Sequence, residues 1–275
     1  MVSETASPIK DFRMFENAGS YECFMGRWSR LIASLFVDFT EISDLERILD
    51  AGSGTGSLSV SIAEKNAQSN VVGIDPSEEY VKYASRKNPF PQRVSYQVGD
   101  AQKLHFPNAT FQASLSLLVF NFIPDPRKAL NELKRVTQSG GLISAAVWDY
   151  GSGMQMLRVF WDAAVSINSA AEKSDEKHMP LCRSGELASL WEQAGLLNVH
   201  EQPLNVSMRF NSFEDFWNPF LLGQGPAGAY VAGLDQTHLA TLQYEVKRRL
   251  PFTQGQDDAH YELFARVWAV RGRIP

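Results

Sequence analysis

The chain reads as a doubly wound α/β protein, with a seven-stranded, mostly parallel sheet, helices on both faces and an antiparallel strand near the C-terminus. Three observations predict it. The run Arg47-Ile48-Leu49-Asp50 leads into Gly52-Ser53-Gly54-Thr55-Gly56, and then Leu58, Val60, Ile62 and Ala63 recur at helical spacing: strand, tight loop, helix. Strand-like runs ending in an acid return at 71–75 and 94–100. Helix-length stretches separate the strands, as parallel crossovers require.

Residues 1–18 are polar and read as loosely packed. From Tyr21, the residues Phe24, Met25, Trp28, Ile32, Leu35 and Phe36 form the stripe of an amphipathic helix. Strands then end near Asp50, Asp75, Asp100, Phe120 and Trp148, with helices near 56–65, 77–86, 126–136 and 153–168. Ser77 is placed to cap the second of these helices, with Glu78 and Glu79 in its favourable first turn. Beyond Tyr150 the pattern loosens. A helix runs from Ser184 to a closing Gly195, 199–210 alternates as a strand, and 261–270 alternates as the last one. Residues 211–258 are an insertion between those two strands. One domain over 1–275 follows, with a helical cap over 1–40, a cofactor-binding core over 41–150, and lid insertions plus the last two strands over 151–275.

The loop after the first strand offers helix N-terminal N–H groups and close backbone approach to a ligand. A dinucleotide fingerprint needs glycine or alanine where this chain has Ser57, with its third glycine one residue early at Gly56. Asp75 is placed to accept hydrogen bonds from ribose hydroxyls, which both NAD and S-adenosylmethionine possess. Asp100, in the sequence Gly99-Asp100-Ala101, can accept from an adenine amino group. Three acids on successive parallel strands point to one carboxyl edge, where open α/β sheets bind ligands.

This constellation, with Gly140-Gly141 before a further strand, resembles the class I S-adenosylmethionine-dependent methyltransferases, and most closely their methyltransferase-type-11 and UbiE-like small-molecule group. The likeness is strong over residues 20–150 and weak beyond. It implies a Rossmann-like sheet in the order three-two-one-four-five-seven-six, S-adenosylmethionine as cofactor and S-adenosylhomocysteine as product. It also implies that Asp50, Ala51, Gly52, Ser53 and Gly54 surround the methionine moiety, that Asp75 and Pro76 hold the ribose, and that Asp100 and Ala101 meet the adenine. Leu117 and Leu118, on the fourth strand, then lie beneath the sulfonium. From their positions on the first helix, Tyr21 is placed to line the methyl channel, and Arg27 or Arg30, with Arg27 favoured, is expected to pair with the methionine carboxylate. The family often carries histidines in the segment 121–126; here those positions hold Asn121 and Phe122.

Composition narrows the partners. A net charge of −5 disfavours broad nucleic-acid binding. Cys23 and Cys182 show neither metal nor redox spacing and read as reduced packing residues, so no metal is expected. With no apolar run of about 18 residues and no basic-then-apolar leader at Met1-Val2-Ser3, no membrane association is expected and the cytoplasm is the expected compartment.

Methyl transfer from a sulfonium needs alignment and exclusion of water, and a base only when the nucleophile carries a proton. The expected partner is therefore a small-molecule acceptor at oxygen, nitrogen or carbon. Candidate catalytic groups are His178 in the lid region, Asn121, and Asp149, which either orients substrate or caps the following helix. Asn121, Phe122, Trp148, Trp217 and Tyr230 are candidates for the acceptor pocket, joined by Trp161 and Phe220. Two other readings stay open: a nicotinamide-dependent oxidoreductase, and a protein that binds S-adenosylmethionine without catalysis. A tRNA or protein methyltransferase is disfavoured by the acidic charge and by Asn121-Phe122-Ile123-Pro124, which lacks the paired proline and aromatic of an amino-group methylation motif.

Overall fold

The computed structural model describes residues 17–44, 47–254 and 259–275. The expectation for the N-terminal residues falls outside these as far as residue 16. The N-terminal helix is α1 (Ala18–Tyr21) and α2 (Arg27–Thr40), joined through a π-helical turn at Glu22–Gly26. Phe24, Met25, Trp28, Ile32 and Phe36 of the expected stripe are buried, whereas Tyr21 is only partly covered and Leu35 is exposed.

The core alternates β1 (Arg47–Ala51), α3 (Ser57–Lys65), β2 (Asn70–Asp75), α4 (Glu78–Lys87) and β3 (Val94–Val98). It continues through β4 (Phe111–Leu117), α5 (Pro126–Val136), β5 (Thr137–Trp148), α6 (Gln155–Ile167) and α7 (Glu186–Gln193). Four of the five β1 residues, and all of β4 but Gln112, are buried, because helices cover both faces of a parallel sheet. Caps set the helix starts: Ser77 accepts from the Tyr80 N–H at 3.3 Å, and Asp125 accepts from the Lys128 N–H at 2.9 Å ahead of Pro126.

After β6 (Leu197–Phe210) come α8 (Phe213–Trp217), α9 (Gly225–Ala232), α10 (Gln236–Arg249), a short β7 (Phe252–Gln254) and β8 (Ala259–Arg273). The sheet order is β3-β2-β1-β4-β5-β8-β6, with β8 antiparallel to both β5 and β6. This is the doubly wound sheet with its antiparallel C-terminal strand, seven strands along the path. One strand more is present than expected: β7 pairs with the start of β8, outside that path. The order turns back between β1 and β4, so their carboxyl ends open a crevice at the switch point.

Two strands stop short of the expected acids and aromatics. β3 ends at Val98, and Asp100 instead folds a turn by accepting from the Gln102 N–H at 2.8 Å. β4 ends at Leu117, because Leu118 takes φ +65° and Phe120–Phe122 closes a 3-10 turn. A leucine held in the left-handed region stores backbone strain of the kind that gathers at functional sites. Among the described residues no helix is long and apolar enough to cross a membrane.

Candidate active site

A cavity of about 710 Å³ opens at the switch point, within the roughly 300–1,000 Å³ span of small-molecule sites. Its floor is the carboxyl edge of the sheet: Gly52, Ser53 and Gly54 after β1, Asp75 and Pro76 after β2, Asp100 and Ala101 after β3, Leu117 and Leu118 after β4, and Trp148 at the end of β5. Tyr21 and Phe122 also line it.

Asp75 ties this floor together. One carboxylate oxygen accepts from the Gly54 N–H and the other from the Ser77 N–H, both at 2.9 Å. Burial pushes its pKa up to about 6, although those two N–H groups pull it down. Each oxygen keeps lone-pair capacity for a further donor. Asp50 lies deeper and is wholly buried. One of its oxygens accepts from the Ser59 hydroxyl at 2.6 Å, and the other has no partner among the described residues. Burial first, and Asp75 next to it, push Asp50 up to about 7.

The glycines of the loop differ in what holds them. At Gly52, φ is +82° and an added Cβ would meet Val119 Cγ1 at 2.6 Å, so this glycine is required by the protein's own packing. Gly56 is packed in the same way against the Tyr96 hydroxyl. Gly54, at φ +52°, has only Tyr80 Cδ2 within 4.0 Å, so a side chain there would enter the cavity. Two further groups on the wall await a partner: Ser53 Oγ and the Tyr80 hydroxyl are buried without one among the described residues. Together with Asp75, they fit a polar cofactor laid over the Gly54 backbone.

Several predicted residues lie elsewhere. Arg27 stacks over Trp28, with its guanidinium carbon 4.2 Å from the ring centroid, and pairs with Asp215 at 3.0 Å, which turns it away from the cavity. Arg30 pairs with Glu22. Asp50 and Ala51 sit beneath the loop rather than on the cavity wall, and the Ala51 carbonyl accepts from Ser116 Oγ at 2.7 Å. Asn121 is buried and donates to the Met179 sulfur at 3.3 Å. Trp217 stacks on Phe213 in an aromatic core, and Tyr230 packs against Trp161. His178 is exposed and faces Glu172 at 3.2 Å. Asp149 accepts from the Ser152 N–H and pairs with Arg266 at 2.6 Å. Burial alone would raise its pKa, but these contacts outweigh it and hold the carboxyl below its usual value, as a turn-forming residue. Cys182 is buried as expected, whereas Cys23 is exposed.

The far end of the cavity comes from segments with no sequence motif. Phe24 and Met25 arrive on the π-helical turn, a distortion frequent at functional sites. Tyr150, Leu157, Glu176 and Gln224 complete the wall. Tyr150 lies in the turn just beyond the end of β5 at Trp148, the same strand edge that supplies the other wall residues. Glu176 sits in a charged run that reads as solvated, and nothing in the sequence marks it as buried.

Comparison with known proteins agrees with this geometry. Residues 49–145 match the family described as a methyltransferase domain. The 2-methyl-6-phytyl-1,4-hydroquinone methyltransferase of Synechocystis is 33% identical over 118 residues, which is 43% of this chain and 37% of that one. The demethylmenaquinone methyltransferase of Paenarthrobacter aurescens is 32% identical over 124 residues, 45% of this chain and 46% of that one. The chain thus spans less than half the length of these curated relatives. In structure, the Haemonchus contortus phosphoethanolamine N-methyltransferase 2 in complex with S-adenosyl-L-methionine superposes with a TM-score of 0.56 at 19% identity, over 94% of this chain and 57% of that one, which is a likeness of fold.

The fold and the strand-edge cradle define a class I methyltransferase core. Residues 49–145 carry the methyltransferase-domain match, the cradle of Gly54, Asp75 and Asp100 lies within that span, and S-adenosylmethionine is the cofactor that the match implies.

Proposed function

We propose that this chain transfers the methyl group of S-adenosylmethionine to a small, largely apolar acceptor. The observation that carries the reading is one continuous cavity with two unlike ends. The Gly54–Asp75 cradle forms one end, and Trp148, Tyr150, Phe24 and Leu157 wall the other.

Bound S-adenosylmethionine supplies an electrophilic methyl on a cationic sulfur. Asp75 accepts the ribose hydroxyls while its own backbone partners keep it in place. Asp100 and Ala101 border the adenine, and Gly52, Ser53 and Gly54 border the methionine moiety. Leu117 and strained Leu118 form the floor between the two ends. The apolar walls exclude water and align the acceptor for in-line displacement. The hydroquinone ring named for the Synechocystis relative is a reasonable pattern for the acceptor.

The test is incubation of the purified chain with S-adenosylmethionine deuterated at the methyl group and a panel of substituted hydroquinones, followed by mass spectrometry. A product that carries CD3 in place of one hydrogen of the acceptor supports the reading. S-adenosylhomocysteine binding with no labelled product from hydroquinones, phenols or amines would leave only a cofactor-binding role.

A further inference from the structure

Glu176 is 4% exposed, yet it stands on the cavity wall. The 3-10 turn Glu176–His178 delivers it, and one carboxyl oxygen accepts from the Trp161 indole N–H. Its neighbour Asp175 takes both guanidinium nitrogens of Arg158, which leaves Glu176 without an ion-pair partner among the described residues. A carboxyl in such a place costs desolvation that its own backbone N–H and the indole donor do not offset. Burial pushes it up to about 7.

Gln224 is a second, independent observation on the same wall. It precedes α9, is buried, and its Oε1 has no hydrogen-bond partner among the described residues. Gln224 Oε1 lacks a donor, and Glu176 keeps acceptor capacity beyond the Trp161 indole on a carboxyl that lines the same cavity. The surfaces around them are apolar or aromatic: Phe24, Met25, Trp148, Leu157 and Pro226.

Resting on the methyltransferase reading, we propose that Glu176 and Gln224 form a polar pole that selects acceptors by a hydroxyl group on an otherwise apolar ring. The hydroxyl donates to Glu176 while the ring fills the aromatic chamber. A neutral donor suits the site better than an ammonium group, because the surrounding walls are apolar and desolvating a full charge costs more than desolvating a hydroxyl.

The test uses the full chain loaded with S-adenosylhomocysteine, titrated calorimetrically with 1-naphthol, its methyl ether 1-methoxynaphthalene, and 1-naphthylmethylamine. Naphthol is expected to bind about tenfold or more tighter than the ether. That preference should fall to about threefold or less in Glu176→Gln and weaken in Gln224→Met, with S-adenosylhomocysteine affinity unchanged in both. Equal binding of naphthol and ether, no naphthol binding at millimolar concentration, or a preference that survives Glu176→Gln would overturn the proposal. Tightest binding by the amine would overturn it in favour of a cationic acceptor. Loss of S-adenosylhomocysteine binding in the unaltered chain would strike the methyltransferase reading instead, and the naphthol-to-ether ratio of the unloaded chain would still decide the role of Glu176.

Discussion

The two ends of the cavity are built in opposite ways. At the cofactor end the floor residues come from the carboxyl ends of the strands and the turns that follow, and consecutive strands place Gly54, Asp75 and Asp100 side by side. At the acceptor end, Phe24, Tyr150, Glu176 and Gln224 come from four segments that meet only in the folded chain. A binding end fixed by sheet topology tolerates variation elsewhere, while an end assembled from insertions can change acceptor without disturbing the cradle. Burial also treats the ends differently. Asp75 is compensated by the N–H groups of the Gly54 loop and of Ser77, whereas Glu176 has its own backbone N–H and the Trp161 indole.

The largest expected effect is at Gly54. Gly54→Val places a branched side chain in the cavity, so S-adenosylhomocysteine affinity should fall by about a hundredfold or more while the thermal midpoint moves by only a few degrees, reflecting the φ strain. Normal calorimetric affinity in that variant would show that the ligand does not lie over this loop. Gly52→Val is a poorer probe, because the clash with Val119 would damage the loop whether or not a ligand binds there.

The N-terminal helix sharpens the comparison from the other side. It is held at its start by the Ala18 N–H on Glu79 at 3.0 Å and, past the π-helical turn, by Arg27 on Asp215. Arg27→Ala should therefore cost about 1 kcal/mol of stability in chemical denaturation, through lost stacking and a half-exposed ion pair. Its S-adenosylhomocysteine affinity should stay within about twofold of the unaltered chain, since the calorimetric contribution of a contact that is not made is nil. A drop of tenfold or more would mean that the helix swings Arg27 onto the cofactor.

The smallest effect is in pH. Asp50, Asp75 and Glu176 have folded-state pKa values of about 7, 6 and 7, raised above their values in an unfolded chain. The folded state then holds more protons than the unfolded one between about pH 4 and 7, so these groups lose stability for the fold as pH rises through that window. The ligand-free midpoint should rise by about 2–4 °C on going from pH 7.5 to 5.5. S-adenosylhomocysteine, by donating to charged Asp75, should release protons near pH 6 and reduce that gain. A midpoint that falls steadily across the same range would contradict the burial of these carboxyls.

The same division explains what could be read from the sequence. The glycine loop, the strand ends and the helix caps are local, so residues a few positions apart announce them. The order of β8 and β6 followed from resemblance, and the short β7 carried too little alternation to be seen. Arg27 draws attention because a basic residue near a cofactor site suggests the ligand's carboxylate, whereas the structure pairs it with Asp215, 188 residues away. Asp149 and Trp217 were drawn to the site by position and type, but the first holds a turn with Arg266 and the second fills an aromatic core. Glu176 and Gln224 had no local signal, because their burial depends on how α6 and α9 pack.

The most direct measurement of this division is a paired calorimetric titration of Asp75→Ala and Glu176→Gln with S-adenosylhomocysteine. Removing the Asp75 carboxylate should cost about 1.5–3 kcal/mol, or roughly 10- to 150-fold in affinity, while Glu176→Gln stays within about twofold of the unaltered chain. Equal losses in both variants, or unchanged affinity in Asp75→Ala, would contradict the assignment of the two ends.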